Sequence, residues 1–380
     1  MRFLHTSDWQ LGMTRHFLSG EAQVRFDQAR LDVIARMADL AQQRGCRFVV
    51  VAGDVFETNQ PEERTVARAL DQLARFTVPV YLLPGNHDPY DHASILRNPR
   101  FVERCPANVE VLSDGEPRRP TPDIEVVGAP WRSKRPAADL VSEVCWSLEP
   151  TGPGDPRRVV VGHGSVGAVS GSFDAPGGVD LDRVERALDD GRVHYVALGD
   201  RHSFTPVGSS GRVWFCGAPE PTDYTEDDPG TCAVVDLSRD PPHVERVAVG
   251  TWSFHRLVQA VDGPGDLDEL EARLDAIEDP ARAIVKVTLE GTLDLGQVAR
   301  LDQLLEDRAL TFAAIEHPQR HRDVVVRPSE EDLASLPLSG YAAQARDRLL
   351  EQARADDDRA AVATDALGLL VRLVGEGERR

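Results

Sequence analysis

The chain has 380 residues, 41% of them hydrophobic, and a formal net charge of −20. That length supplies two or three domains with ample core, and the acidic balance argues against a generally basic nucleic-acid-binding surface, though not against a local one built around cations. No apolar run is long enough to span a membrane, and Met1-Arg2-Phe3-Leu4-His5 runs straight into a strand, so no secretory leader is expected.

Arg2 to Ser7 reads as the first strand, followed by Asp8-Trp9-Gln10-Leu11-Gly12. Asp8 and Gln10 lie two apart after a strand end, so both can face one crevice. Met13 to Gln23 is polar and irregular and carries Arg15 and His16. A helix follows with Phe26, Val33, Ile34, Met37 and Leu40 on one face, ended by Gly45. Val49-Val50-Val51-Ala52 is a short buried strand breaking into Gly53-Asp54, and Tyr81-Leu82-Leu83 is another breaking into Pro84-Gly85-Asn86-His87-Asp88. The amphipathic stretch Val66, Ala69, Leu70, Leu73, Phe76 between them predicts a helix. Strand, helix and strand make a parallel βαβ unit, whose functional groups gather at the strands' carboxyl ends.

Val109–Leu112 and Ile124–Val127 are predicted strands, with a Pro-rich turn over Asp114–Pro122. A helix is expected over Ala137–Leu148. Arg158-Val159-Val160-Val161 is a buried strand ending in Gly162-His163-Gly164, and a helix lies around Leu181–Leu188. The strand His194–Leu198 leads into Gly199-Asp200-Arg201-His202. Val213–Phe215 and Cys232–Val235 are expected in a second sheet. Near residue 250 the texture changes to a small βαβαβ pattern: strands Phe254–Val261, Ala283–Leu289 and Leu310–Ile315, with helices Leu267–Ile277 and Leu295–Leu305. Two charged helices, Tyr341–Ala355 and Ala360–Val374, close the chain. Five scattered cysteines lack metal-finger spacing and read as reduced thiols of a cytoplasmic protein. Lysine occurs only at Lys134 and Lys286; arginine, the dominant base, suits bidentate phosphate contacts.

Collected in order, the strand-end groups are Asp8 and Gln10, Asp54, Asn86 and His87, His163, and Asp200 and His202. Oxygen and imidazole groups from five strand ends suit two divalent cations about 3.5–4 Å apart, bridged by one carboxylate. Such a pair lowers the pKa of water toward neutrality and directs it at a phosphate ester.

This pattern resembles the calcineurin-like metallophosphoesterase superfamily, with its Asp-x-His, Gly-Asp, Gly-Asn-His-Asp/Glu, strand-end His and Gly-His-x-His motifs. Within it, His5-Thr6-Ser7-Asp8-Trp9, Gly53-Asp54-Val55-Phe56 and the Ala197-Leu198-Gly199 context look like the SbcD-type DNA repair nucleases. The resemblance implies an α/β fold, a four-layer α/β/β/α sandwich with a small α/β cap and C-terminal helices. The divisions it implies are a catalytic domain over 1–250, a cap over 251–325 and a partner-binding helical segment over 326–380. By the same resemblance, metal one takes Asp8, Gln10, His202 and the bridging Asp54; metal two takes Asp54, Asn86, His163 and Asp200. His87 is then the non-ligand histidine at the scissile bond, with Asp88 holding its ring. Arg15, His16 and Arg201 are candidates for substrate contact, and Trp9 and Tyr224 for base stacking, with core packing the alternative for Trp9.

Two positions depart from the pattern: Gln10 stands where the superfamily has histidine, and Asp200 where Gly-His-x-His begins. Harder oxygen ligation favours manganese or magnesium over zinc. The activity implied is a two-metal DNA exonuclease or endonuclease in the cytoplasm, acting on DNA with an SbcC-like coiled-coil ATPase subunit, with a homodimer left open and no membrane association. The alternatives are a phosphodiesterase or phosphatase for a small nucleotide or phospholipid headgroup, and a non-catalytic scaffold for the ATPase.

Overall fold

In the computed structural model, residues 1–171, 176–316, 322–327 and 338–354 are described, with a few single positions beyond. Contacts divide the chain into two units, Met1–Trp252 and Ser253–Arg380.

The first unit begins with parallel strands that are apolar on both faces, as strands covered on both sides must be. They are β1 (Arg2–Thr6), β2 (Cys46–Val51), β3 (Val80–Leu82) and β4 (Val109–Val111). Leu4, Val49, Val51 and Leu82 pack outward against Ile34 and Met37 of α1 (Gly20–Gln43) and Ala69 and Leu73 of α2 (Glu63–Leu73). The alternate residues Phe3, Val50 and Tyr81 face the other way, into a second sheet.

That second sheet holds β5 (Arg118–Thr121), β6 (Ile124–Gly128), β7 (Arg157–His163), β8 (Tyr195–Gly199), β9 (Phe204–Val207) and β10 (Val213–Cys216), in the order β5-β6-β7-β8-β10-β9. Phe3 stacks on Phe48 at 4.7 Å and meets the edge of Tyr195 at 5.5 Å, tying the two sheets together. The outer face of the second sheet is covered by α3 (Leu140–Ser147) and α4 (Leu181–Asp189), through Val141, Cys145, Val184 and Leu188. Helix, sheet, sheet, helix is the four-layer sandwich expected from the sequence.

Two expectations fail here. Cys232–Val235 belongs not to the second sheet but to the first: β11 (Thr231–Asp236) runs antiparallel to β1, with Leu4 opposite Val234. Outside it lies the edge strand β12 (His243–Ala248). The Pro-rich turn over Asp114–Pro122 is partly a strand, since β5 pairs antiparallel with β6. Pro120 is tolerated there because β5 is the sheet edge, where one row of N–H groups has no ladder partner to serve.

In the second unit β13 (Ser253–Val261), α5 (Pro264–Asp275), β14 (Ala283–Leu293), α6 (Leu295–Ala309) and β15 (Ala314–Glu316) form parallel β-α-β units. Their core includes Val261, Leu267, Leu270, Val285, Val287, Leu301 and Leu305. The last strand starts at Ala314 rather than Leu310, since Leu310 caps α6 and is 85% exposed. A further strand, β16 (Arg322–Val326), pairs with the distal half of β14. The terminal helix α7 (Tyr341–Ala353) places Leu349 and Leu350 beside Leu295, Leu333 and Leu367. The expected helix Ala360–Val374 lies largely outside the described residues. Among those described, no helix is long and apolar enough to cross a membrane.

Candidate metal centre

The registers explain why distant motifs converge. Thr6 lies opposite Val51, Val51 opposite Leu82, and His163 opposite Gly199, so the parallel strands of each sheet end level with one another. The loops leaving β1 and β2 then zip together through Asp8 N–H to Gly53 O (3.0 Å), Gln10 N–H to Asp54 O (2.9 Å) and Leu11 N–H to Val55 O (3.0 Å).

At this seam the backbone turns left-handed: φ is +54° at Asp8, +44° at Gln10, +54° at Asp54 and +97° at Asp200. Only Asp228 and Asp279 share that region among the described non-glycine residues. Such conformations cost on the order of 1–3 kcal/mol each and persist where the surroundings over-determine them. Glycine supplies the room. A Cβ on Gly53 would sit 2.2 Å from His163 Nδ1, one on Gly85 2.2 Å from Asp54 Oδ1, and one on Gly199 1.9 Å from the Ala52 carbonyl.

Asp8, Asp54 and His163 are buried, and one ligand-competent atom from each lies within 4.8 Å of the others. His163 Nδ1 donates to the Ala52 carbonyl (2.8 Å), and Nε2 faces Asn86 Oδ1 at 2.7 Å and Asp54 Oδ2 at 3.5 Å. Asp200 Oδ1 is 3.8 Å from the same Nε2, and its backbone N–H donates to both Asp8 oxygens. His202 Nε2 lies 3.7 Å from Asp8 Oδ1 and 3.5 Å from the Gln10 amide nitrogen. Asp54 Oδ1 accepts the His87 N–H at 2.9 Å, with His87 Nε2 4.0 Å from Asp54 Oδ2. All eight sequence-predicted strand-end residues therefore come together.

The field of this cluster is negative. Burial alone would lower both His163 and His202. Asp54, Asp8 and Asp200 outweigh it at His163, and Glu226 with Asp8 outweighs it at His202, raising the first well above the ordinary range and the second to about 9. Burial raises Asp8, whereas His163 and His87 outweigh burial at Asp54 and hold it down. Gln10 Oε1 is buried without a hydrogen-bond partner. A buried cluster of two carboxylates and an imidazole, an orphaned amide oxygen and a carboxylate-rich field are the donor set of a divalent-cation site, so the residues present fit the metals that the motifs imply.

Two side-chain expectations need correction. Asp88 does not hold the ring of His87. It is buried and accepts Gly85 N–H (2.8 Å) and Phe56 N–H (3.0 Å), stapling two loops, while burial and Asp54 push it up to about 7. The His87 ring is instead oriented by its Nδ1 against the Glu57 carbonyl at 3.0 Å. Trp9 is buried and donates to Thr6 Oγ1, which removes it as a base-stacking platform and leaves core packing. Arg201 bonds Thr205 and the Val169 carbonyl. Arg15 donates to the Thr222 carbonyl, and exposed His16 lies against Phe17, which neighbours Tyr224. Sequence reasoning missed Thr222 and Glu226, whose side chains meet His202 Nδ1 at 2.7 and 2.9 Å. They lie on a loop with no strand-end signal.

The family model for calcineurin-like phosphoesterases matches residues 1–204, which span β1 to β8 and every residue of the strand-end cluster. The chain belongs to this family. It is a metallophosphoesterase: a hydrolase whose family acts on phosphoester bonds with divalent metals. A relative named DNA double-strand break repair protein Mre11, from Sulfolobus acidocaldarius, is 20% identical over 90% of this chain and 87% of its own. The SbcD subunit of the SbcCD nuclease from Escherichia coli is 40% identical over 23% of this chain and 21% of its own length. A glycerophosphodiester phosphodiesterase, GpdQ of Enterobacter lignolyticus, is 35% identical over 23% and 30% respectively. The chain matches less than a third of the length of these bacterial relatives.

Proposed function

We propose that this chain is a manganese-dependent DNA nuclease of the SbcD type, with the strained seam of Asp8, Gln10, Asp54 and Asp200 around His163 as the observation that carries the reading. Metal one falls to Asp8, Gln10, His202 and the shared Asp54, and metal two to Asp54, Asn86, His163 and Asp200. Bound there, the two cations supply a nucleophile at neutral pH and offset the charge of the transferring phosphoryl group. The protein's own residues do the rest. Asp54 receives the His87 N–H and so fixes the loop that aims the His87 ring. With Nδ1 held by the Glu57 carbonyl, His87 presents Nε2 as the group that orients phosphate or protonates the leaving oxygen. Arg15, His16 and Tyr224 are the groups assigned to nucleotide contact, and Arg201 to a phosphate.

The mixture of oxygen ligands argues for manganese, with magnesium next and zinc last. Residues 251–325 are assigned to a cap that positions DNA, and 326–380 to docking on an SbcC-like ATPase, in the cytoplasm. A second reading, hydrolysis of a small phosphodiester, has its own support in the net charge of −20 and the similarity to GpdQ. Purified protein assayed with single- and double-stranded DNA and with glycerophosphodiesters, each with manganese, magnesium or zinc, separates them. Manganese-dependent DNA cleavage lost in Asp54→Ala supports the first reading, and turnover confined to the small diester overturns it. In Gln10→His, tighter binding at metal one and tolerance of zinc are expected, because imidazole suits transition metals better than an amide does.

A further inference from the structure

His202 is the one proposed ligand whose second nitrogen is enclosed by side chains of a loop that no motif marks. Nδ1 lies 2.7 Å from Thr222 Oγ1 and 2.9 Å from Glu226 Oε1. Glu226 offers only acceptors. It takes the hydroxyl proton of Thr222 and the Thr222 backbone N–H on both oxygens. With the threonine proton already given to Glu226, neither neighbour has a proton for Nδ1, so Nδ1 is the donor and Nε2 is the nitrogen left to bind a cation. Nε2 is the atom that faces Asp8 and Gln10.

The loop is itself fixed to the segment after β1 that carries those two residues. Buried Arg30 donates to the carbonyls of both Trp9 and Pro221, and Arg15 donates to the Thr222 carbonyl. The Glu226 side chain is 5% exposed, so its charge faces His202 and not bulk water.

We infer that Glu226 is a positioning residue for the first metal: it fixes the tautomer and orientation of His202 so that Nε2 is delivered to the cation, and its charge makes the imidazole a better donor. A carboxylate on the far nitrogen of a metal-bound histidine typically contributes about 10- to 100-fold in metal affinity. This inference rests on the two-metal reading of the site but not on DNA as substrate.

The test titrates the 380-residue protein with Mn2+ by calorimetry and follows the exchange-coupled two-manganese signal by electron paramagnetic resonance. Wild type, Glu226→Gln and Glu226→Ala are compared. Because Glu226 also receives the Thr222 N–H, the alanine variant is expected to lower the apo-protein melting temperature. Glutamine keeps the shape and one acceptor and is the variant that decides. The expected result is two sites in wild type, with one weakened about 10-fold in Glu226→Gln and up to about 100-fold in Glu226→Ala. The other site keeps its affinity, and the coupled signal is lost at manganese levels that saturate wild type. Two wild-type affinities in Glu226→Gln, or an equal loss at both sites, overturns the inference. A single site in the wild type overturns the two-metal reading instead.

Discussion

Both units of this chain end parallel strands in aspartates, and they use them differently. In the second unit Asp294 follows β14 with φ −78°, accepts the Gln297 N–H at 2.8 Å and caps α6, with the Gln297 side chain returning to its backbone. Asp262 follows β13 and accepts the Thr292 N–H at 3.0 Å. These carboxylates satisfy backbone groups of their own unit. In the first unit Asp8 and Asp54 follow β1 and β2 at φ +54°, start no helix, and converge on His163. An aspartate after a strand is thus no signal by itself. It becomes one where a left-handed backbone holds it and an adjoining glycine leaves space for a histidine.

The largest break of that contrast is expected at Asp54. Asp54→Ala removes the carboxylate assigned to both metals and the acceptor for the His87 N–H, and phosphodiester hydrolysis should fall to background. Wild-type turnover in this variant would end the two-metal account.

Next comes His87. It touches Asp54 through its backbone, but its ring is held by Glu57. His87→Ala is expected to lower kcat by about 10²- to 10⁴-fold while manganese titration still shows two bound ions. Metal content falling in step with activity would make it a ligand instead.

A third expectation concerns acid. His5 is buried between the Tyr195 hydroxyl and the Leu198 carbonyl, and burial lowers it to about 3. A depressed histidine binds its proton more readily in the unfolded chain. Its contribution to stability is therefore complete above the unfolded value of 6.5 and is lost as pH falls toward about 3. The slope approaches about 1.4 kcal/mol per pH unit. All five tryptophans precede Ser253, so their fluorescence reports the first unit alone. Other shifted groups add to the wild-type slope, so the readout is the difference: urea unfolding followed this way at pH 7, 6 and 5 should lose less stability toward acid in His5→Gln than in wild type. Equal slopes would remove His5 as the cause.

The smallest effect is expected in the second unit. Asp294→Ala deletes a capping box and should cost about 1 kcal/mol of stability. Specific activity per folded molecule should stay that of wild type. A loss of turnover comparable to that of Asp54→Ala would erase the distinction drawn between the two kinds of aspartate.

The sequence alone determined the parts that are local. A short apolar run broken by glycine and aspartate reads as a buried strand end, so Asp8, Gln10, Asp54, Asn86, His87, His163, Asp200 and His202 are legible along the linear chain. The helices flanking them are legible for the same reason, since one apolar face repeats every three to four residues. Tertiary structure decided what depends on pairing across long separations. Nothing within Cys232–Val235 says that it lies beside Leu4 rather than Phe215, because an apolar strand can pair with either and packing against both sheets selects one. The edge strands β5 and β12 are polar on their open sides and were hidden for that reason. Asp88 stands beside His87 in sequence, yet its buried carboxylate faces the N–H groups of Gly85 and Phe56. Glu226 reaches His202 only because Arg30 and Arg15 draw its loop against the first strand's end. Those bonds join residues about two hundred positions apart, and no local pattern encodes them.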